Sequence, residues 1–242
     1  MTACDPPWNG NLVRSRFFDG ISLLLPAAES FLIVTLEEWL ARFEHQLDAH
    51  ARDEVRRFLR EERAHQKVHL RYNEALVVRL PGARDVAERA SHAADELAAL
   101  DLATRLAMAA AFEHLTAVLS AEMLHRPFLI SAPASTEGRM WRWHAREELG
   151  HRDVAIDAVM HMGIGWVRRS LAYALASAYL LFDVLRLWIA LCRCDVAAGS
   201  SRWRLARQAA GFVVGAVPTA MRLALGWVGY LLPGRRSLAR QP

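Results

Sequence analysis

The chain has 242 residues, 53% of them hydrophobic, which is enough to bury one large core or two small ones. Three cysteines, Cys4, Cys192 and Cys194, form neither a paired disulfide framework nor a Cys-x-x-Cys zinc knuckle, and MTACDPPWNG lacks the basic start and apolar run of a secretion signal. The net charge of +4 divides unevenly: from Trp166 onward eleven arginines face only Asp183 and Asp195, a net of +9, which leaves −5 on residues 1–165.

Few glycines and prolines, abundant Ala, Leu, Arg and Glu, and no sustained alternation of β-branched residues predict an all-α fold. After a turn-rich opening, Pro26 is placed as the first residue of a helix that runs to about Leu47. Asp48 is expected to cap a second helix, which ends near Leu80 where PGARD breaks it. The alanine-rich stretch Ser91–Leu124 reads as helical with a break at Leu100-Asp101, and Pro127 and Pro133 bound the loop after it. Ser135 or Thr136 then caps a helix to about Met162, and two apolar helices, Val167–Cys194 and Arg202–Tyr230, complete the chain. Residues 1–165 are expected to form one helical bundle and residues 166–242 a basic, apolar pair packed on it.

Two segments share a phrase: REERAHQKV at 60–68 and REELGHRDV at 146–154. On a helix, Glu62 and His65 lie about 60° apart on neighbouring turns, as do Glu148 and His151. Dinuclear carboxylate bundles take a Glu-x-x-His from each of two helices and one Glu from each of the other two. Glu29 and Glu113 supply the missing pair. Glu29 and Glu62 have their midpoint at 45.5, near the turn expected at Asp48, and Glu113 and Glu148 have theirs at 130.5, inside the proline-bounded loop. Both hairpins therefore set their carboxylates level, giving half-sites Glu29, Glu62, His65 and Glu113, Glu148, His151.

Four carboxylates in an apolar interior would repel and desolvate one another, whereas two divalent cations would neutralise them. Carboxylates with imidazoles suit iron, with manganese or zinc as alternatives. Glu61 and Glu147, four residues before their histidines, compete for the same faces, and the three-residue spacing is preferred. His69, about 20° around the helix from Glu62, is a candidate additional ligand or proton relay. Asn73, Asp153 and Asp157 are candidates to orient the imidazoles from outside the ligand set. His114 faces away from Glu113 and is not expected to ligate.

These residues also resemble a bacterial family of predicted metal-dependent hydrolases, itself similar to the ferritin-like di-iron proteins. The carriers are LPAAESFL, FLREERAHQKVHLRYN, AFEHLTA and MWRWHAREELGHRDVAIDAV, the last being the most specific. Leu25-Pro26-Ala27-Ala28-Glu29 stands where family members usually show Phe-Pro-x-Gly-Glu, which leaves the ligand in place. The resemblance implies a ferritin-like four-helix bundle with an additional C-terminal helical pair.

The leading expectation for function is oxygen-dependent oxidation or hydroxylation of a small apolar organic substrate at a di-iron centre, with an electron donor as partner. Ala107, Ala109, Ala110 and Ala111 beside Glu113 are expected to leave room for that substrate. The alternative is the hydrolase the resemblance implies, using a metal-activated water; a third is a non-catalytic metal-binding helical protein. No catalytic group beyond the metal centre is identified.

No nucleic-acid motif accompanies the basic tail, so nucleic acid is not an expected partner. The uncharged run SLAYALASAYLLF is thirteen residues, short of a spanning helix, and reads as a buried helix. Leu187, Trp188, Trp203, Trp227 and Tyr230 with the arginines are candidates for a peripheral membrane contact. The expected location is cytoplasmic, peripheral at the inner face of the membrane.

Overall fold

A computed structural model describes residues 7–231, in which seven α-helices are joined by short turns, and no strand occurs among the described residues. The helices are α1 (Leu12–Phe43), α2 (Ala49–Arg79), α3 (Ala83–Ser91), α4 (Leu102–His125), α5 (Thr136–His161), α6 (Trp166–Ala197) and α7 (Arg202–Leu231). The all-α expectation holds. Cys4 and the arginines at 235, 236 and 240 lie outside the described residues.

The expected caps Asp48 and Ser135 are in place, and Asp101, expected only as part of a break, caps α4. Asp48 accepts from Ala51 N at 2.7 Å to start α2, Asp101 accepts from Ala103 N and Thr104 N to start α4, and Ser135 accepts from Gly138 N at 2.9 Å to start α5. The stretch expected to be helical from Ser91 to the break at Leu100-Asp101 is not an α-helix; α3 lies before it, over Ala83–Ser91, because only Pro81 and Gly82 interrupt the chain and Gly82 takes the left-handed turn, φ 85°. Residues 95–99 form a 3-10 turn between α3 and α4.

The larger correction concerns Pro26, which lies inside α1 rather than at its start. Asn11 caps the helix, accepting from Arg14 N at 2.9 Å, and the chain stays helical through the proline. Pro26 has no N–H for the carbonyl of Ser22, four residues earlier. Asn73 on α2 takes that role, its Nδ2 donating to Ser22 O at 2.8 Å. The backbone of α1 is thus completed by a side chain of α2.

α1 pairs with α2 and α4 with α5, while α1–α4 and α2–α5 contacts close the set around a shared interior. α6 and α7 pack against α1 and α4. Gly20 lets α6 come close, since a Cβ there would meet Trp188 N at 3.2 Å. Arg16 on α1 pairs with Asp195 on α6 at 2.8 Å, and Glu122 on α4 pairs with Arg222 on α7 at 3.2 Å.

Four helical segments, Leu12–Gln46, Leu102–His125, Trp166–Ala197 and Arg202–Gly226, are long and apolar enough to cross a membrane by length and composition. α6 was expected to be buried. Only 28% of its most apolar window is buried, and only 11% of that of α7. Leu187 is buried, Tyr230 stacks on Tyr173, and Trp188 is half-buried with its Nε1 donating to Val13 O, so of the aromatic contact set Trp203 is the exposed member. The side chain of Trp227 is outside the described residues.

Candidate metal centre

Eight ionisable side chains converge between α1, α2, α4 and α5. Glu29 comes from α1, Glu62, His65 and His69 from α2, Glu113 from α4, and His144, Glu148 and His151 from α5, and none is more than 3% exposed. Helical spacing puts each set on one face. α2 and α5 run antiparallel, so the residue numbers of the hydrogen-bonded and ion-paired site residues across them sum to 212 or 213.

Donor atoms of Glu62, His65, Glu148 and His151 all lie within 4.8 Å of one another. His65 Nδ1 is 3.7 Å from Glu62 Oε1 and 3.4 Å from Glu148 Oε1, and His151 Nδ1 is 2.7 Å and 3.6 Å from the same two oxygens. Despite these distances, both Nδ1 atoms and Glu62 Oε1 lack a hydrogen-bond partner of proper angle, as do both oxygens of Glu29 and Oε2 of Glu113. Buried polar atoms left unmade are costly. They converge on shared points rather than on one another, and this donor set fits divalent cations.

The outward nitrogens are held crosswise. His65 Nε2 meets Glu147 Oε2 at 2.8 Å, and His151 Nε2 meets Glu61 Oε2 at 2.9 Å. Trp143 Nε1 in turn donates to Glu147 Oε1 at 3.0 Å. Glu61 and Glu147 therefore stand behind the imidazoles and outside the inward-facing group. Asp153, half-buried, and Asp157, exposed, are not the residues at these nitrogens.

Asn73 orients an imidazole, though through an intermediary. Its Nδ2 is committed to Ser22 O, so its Oδ1 accepts from Ser22 Oγ at 2.8 Å. With that proton used, Ser22 Oγ accepts from His69 Nδ1 at 2.8 Å. His69 Nε2 then carries a lone pair and accepts from His144 Nδ1 at 3.3 Å. This assigns the bare lone pair of His144 to Nε2, which faces Glu148 Oε1 at 3.5 Å. Lone pair against carboxylate is repulsive unless a cation lies between them. Glu29, His69 and His144 form a second group with donor atoms within 4.8 Å.

The description of a family, predicted metal-dependent hydrolase, matches residues 4–234. The chain belongs to that family. No curated protein and no solved structure matches it. Metal-dependent hydrolysis, the alternative expectation, thus has support that oxidation lacks.

In this metal-dependent hydrolase family member, burial works against charge on Glu29, Glu113, Glu148 and the four histidines, and neighbours reverse it only at Glu148, His65 and His151. Burial and then Glu62 push the Glu29 carboxyl well above its usual range, and burial and then Glu148 do the same to Glu113. Burial would discharge His65 and His151, but Glu148 and Glu62 outweigh it and hold their imidazoles protonated up to about 10 and about 12. Burial would also raise Glu148, but His144, His151 and His65 keep it well below the ordinary carboxylate range. His69 and His144 are kept neutral by burial, His144 down to about 4.

A cavity of about 300 Å³ reaches Glu29, Glu62, Glu113 and Glu148. Its other walls are almost entirely apolar, from α1, α4, α6 and the turn at 93–97. The alanines expected to make this room do not line it: Ala107, Ala109, Ala110 and Ala111 are packed in the core, and Phe112, Leu115, Thr116 and Leu119 face the cavity instead. His114 packs against Tyr173 and Tyr230, with Nε2 3.3 Å from Gly226 O, away from the carboxylates as expected.

Sequence spacing brought the six principal residues to one place but divided them differently. Glu62, His65, Glu148 and His151 form the compact group, Glu29 joins His69 and His144, and Glu113 belongs to neither group. His144 was missed as a ligand candidate. The antiparallel sum that pairs Glu62 with His151 also pairs His69 with His144.

Proposed function

We propose that the chain is a metal-dependent hydrolase that cleaves an ester or amide bond in a small apolar molecule. The metal would be held by Glu29, Glu62, His65, Glu113, Glu148 and His151, with His144 Nε2 as a further ligand. Bound divalent cations supply a water of lowered pKa and polarise the scissile carbonyl. The observation that carries the reading is the meeting of unpartnered, inward-facing donors with an apolar cavity.

The chain's own residues divide the work. Glu61 and Glu147 fix the two imidazoles so that both Nδ1 atoms face inward. The Asn73–Ser22–His69 chain fixes His144. The apolar walls hold the organic part of the substrate and exclude bulk water. Glu29 and Glu113, which line the cavity, are positioned to take up or release a proton beside the reacting bond.

One observation favours the oxidation reading. The cavity's hydroxyls are engaged elsewhere, Thr116 Oγ1 donating to Glu113 O, Ser177 Oγ to Tyr173 O and Tyr179 OH to Glu96 Oε2, so the described lining residues form no cradle for an oxyanion. A carboxylate-rich pair of irons with an external electron donor would not need one.

The deciding experiment loads the protein with zinc, manganese or ferrous iron and offers long-chain esters and amides with and without oxygen. Turnover independent of oxygen supports hydrolysis. Oxygen consumption that requires ferrous iron supports oxidation, and stoichiometric metal with neither activity leaves the non-catalytic reading.

A further inference from the structure

Apart from Trp166 in its first turn, the exposed large apolar residues of α6 fall on one stripe: Val167, Leu171, Leu175, Phe182, Leu185 and Ile189, with Leu181 at its edge. At 100° per residue they span an arc of about 120°. Val213, Val214, Val217, Met221 and Leu225 on α7 cover an arc of similar width, and Trp203 at its start is 87% exposed. Both helices pack their inner sides on α1 and α4, so the two stripes face away from the same pair of helices. Soluble monomers rarely expose apolar surface this continuous.

Charge identifies what covers it. Asp183 and Asp195 are the only acids from Trp166 onward, and both are buried and paired, with Arg186 and Arg16. At the turn between α6 and α7, Arg193, Arg202, Arg204 and Arg207 are all exposed. An apolar face with an arginine cluster at one end and no exposed acid matches an anionic phospholipid surface, with the apolar side chains in the acyl region and the guanidinium groups among headgroups.

The cavity supplies the second observation. Leu181 and Leu185, 62% and 40% exposed on the α6 stripe, are also cavity-lining residues. The cavity that reaches Glu29 and Glu113 therefore also reaches the apolar face.

We infer that the outer side of α6 and α7 seats on an anionic bilayer, and that an acyl-chain substrate enters the cavity from that bilayer along the side of α6 that carries Leu181 and Leu185. The substrate half of this inference rests on the hydrolase reading; the docking half does not.

Flotation of the full-length protein with phosphatidylglycerol vesicles and with phosphatidylcholine vesicles tests the docking. Binding is expected to the anionic vesicles and to weaken with salt. It should fall on the order of a hundredfold in R202Q/R204Q/R207Q, and be lost in Phe182→Glu/Val214→Glu, all with unchanged metal content. A protein that stays unbound and elutes as a dimer that the double variant dissociates would overturn it, assigning the face to a second copy. Vesicles carrying a photoreactive acyl chain test the route. Labelling at Ile21, Leu24 and Leu25, inside the cavity, is expected, and labelling confined to the outer stripes would overturn it. Because neither readout needs turnover, failure here is separable from failure of the hydrolase reading.

Discussion

Glu61 Oε2 lies 2.9 Å from His151 Nε2, although the two residues are 90 apart in the chain and on different helices. Glu147 and His65 repeat the arrangement in the opposite sense at 2.8 Å. Each copy of the Arg-Glu-Glu-x-x-His phrase thus carries one Glu that faces the interior and one that steadies the other copy's histidine. Glu61→Gln or Glu147→Gln should weaken metal binding by roughly ten- to a hundredfold, measured by chelator competition, with the helical spectrum unchanged. Affinity equal to that of the exposed control Glu37→Gln would reduce these contacts to surface ion pairs.

Metal uptake should release protons. Without metal, His65 and His151 stay charged to about 10 and about 12, and burial and neighbouring carboxylates shift Glu29 and Glu113 toward their protonated forms. Calorimetry near pH 7 in two buffers of different ionisation heat should show about two protons released per chain from the histidines, with any held by Glu29 and Glu113 in addition, and affinity should rise with pH.

The same shifts predict how stability changes with pH. The two histidines, raised above their unfolded values, contribute stability that is complete below about pH 6.5 and lost only through about 10 and about 12. Glu29 and Glu113, also raised, cost stability increasingly as pH climbs above their unfolded values near 4.3. Melting curves with and without chelator between about pH 5 and 9 should therefore diverge, the metal-free protein falling further behind as pH rises.

Asn73 and Pro26 should be energetically coupled. Asn73→Ala strands Ser22 O and should cost on the order of 1–3 kcal/mol in denaturant unfolding. Pro26→Ala restores an N–H at the helical position facing Ser22 O, so it should recover most of that loss in the double variant. Metal affinity should stay low in the double variant, because the Ser22–His69–His144 chain is still unsupported. Additive losses would refute the coupling.

Gly138→Ala should be strongly destabilising, because a Cβ there would lie 2.1 Å from Ala132 O, a backbone atom that cannot swing away. A cost of about 2–4 kcal/mol is expected from forced displacement of the first turn of α5.

The readable part of the fold was the part set by local chemistry. Asp48 and Ser135 announce helix starts because their side chains satisfy amides three residues away. The six principal site residues were legible because helical spacing and hairpin midpoints convert sequence distance into depth. Pro26 misled because its local preference for a first turn was overridden by a partner 47 residues away, a contact no local rule contains. The alanines misled for a related reason: small residues near a carboxylate can equally admit close helix packing, and the core decided it. His144 required knowing that α2 and α5 face each other antiparallel.

The carbonyl of Ser22 also fixes the register of assembly. In an ordinary helix pair, sliding one member by a turn exchanges one set of apolar contacts for a similar one. Here such a slip would leave a backbone acceptor stranded beside Pro26, with nothing in its own helix to answer it, and would withdraw His69 from Ser22 in the same movement. A chain docked one turn out of place would therefore be penalised at the position that also prepares the metal site, and correct assembly and competence to bind metal are tested by the same hydrogen bond.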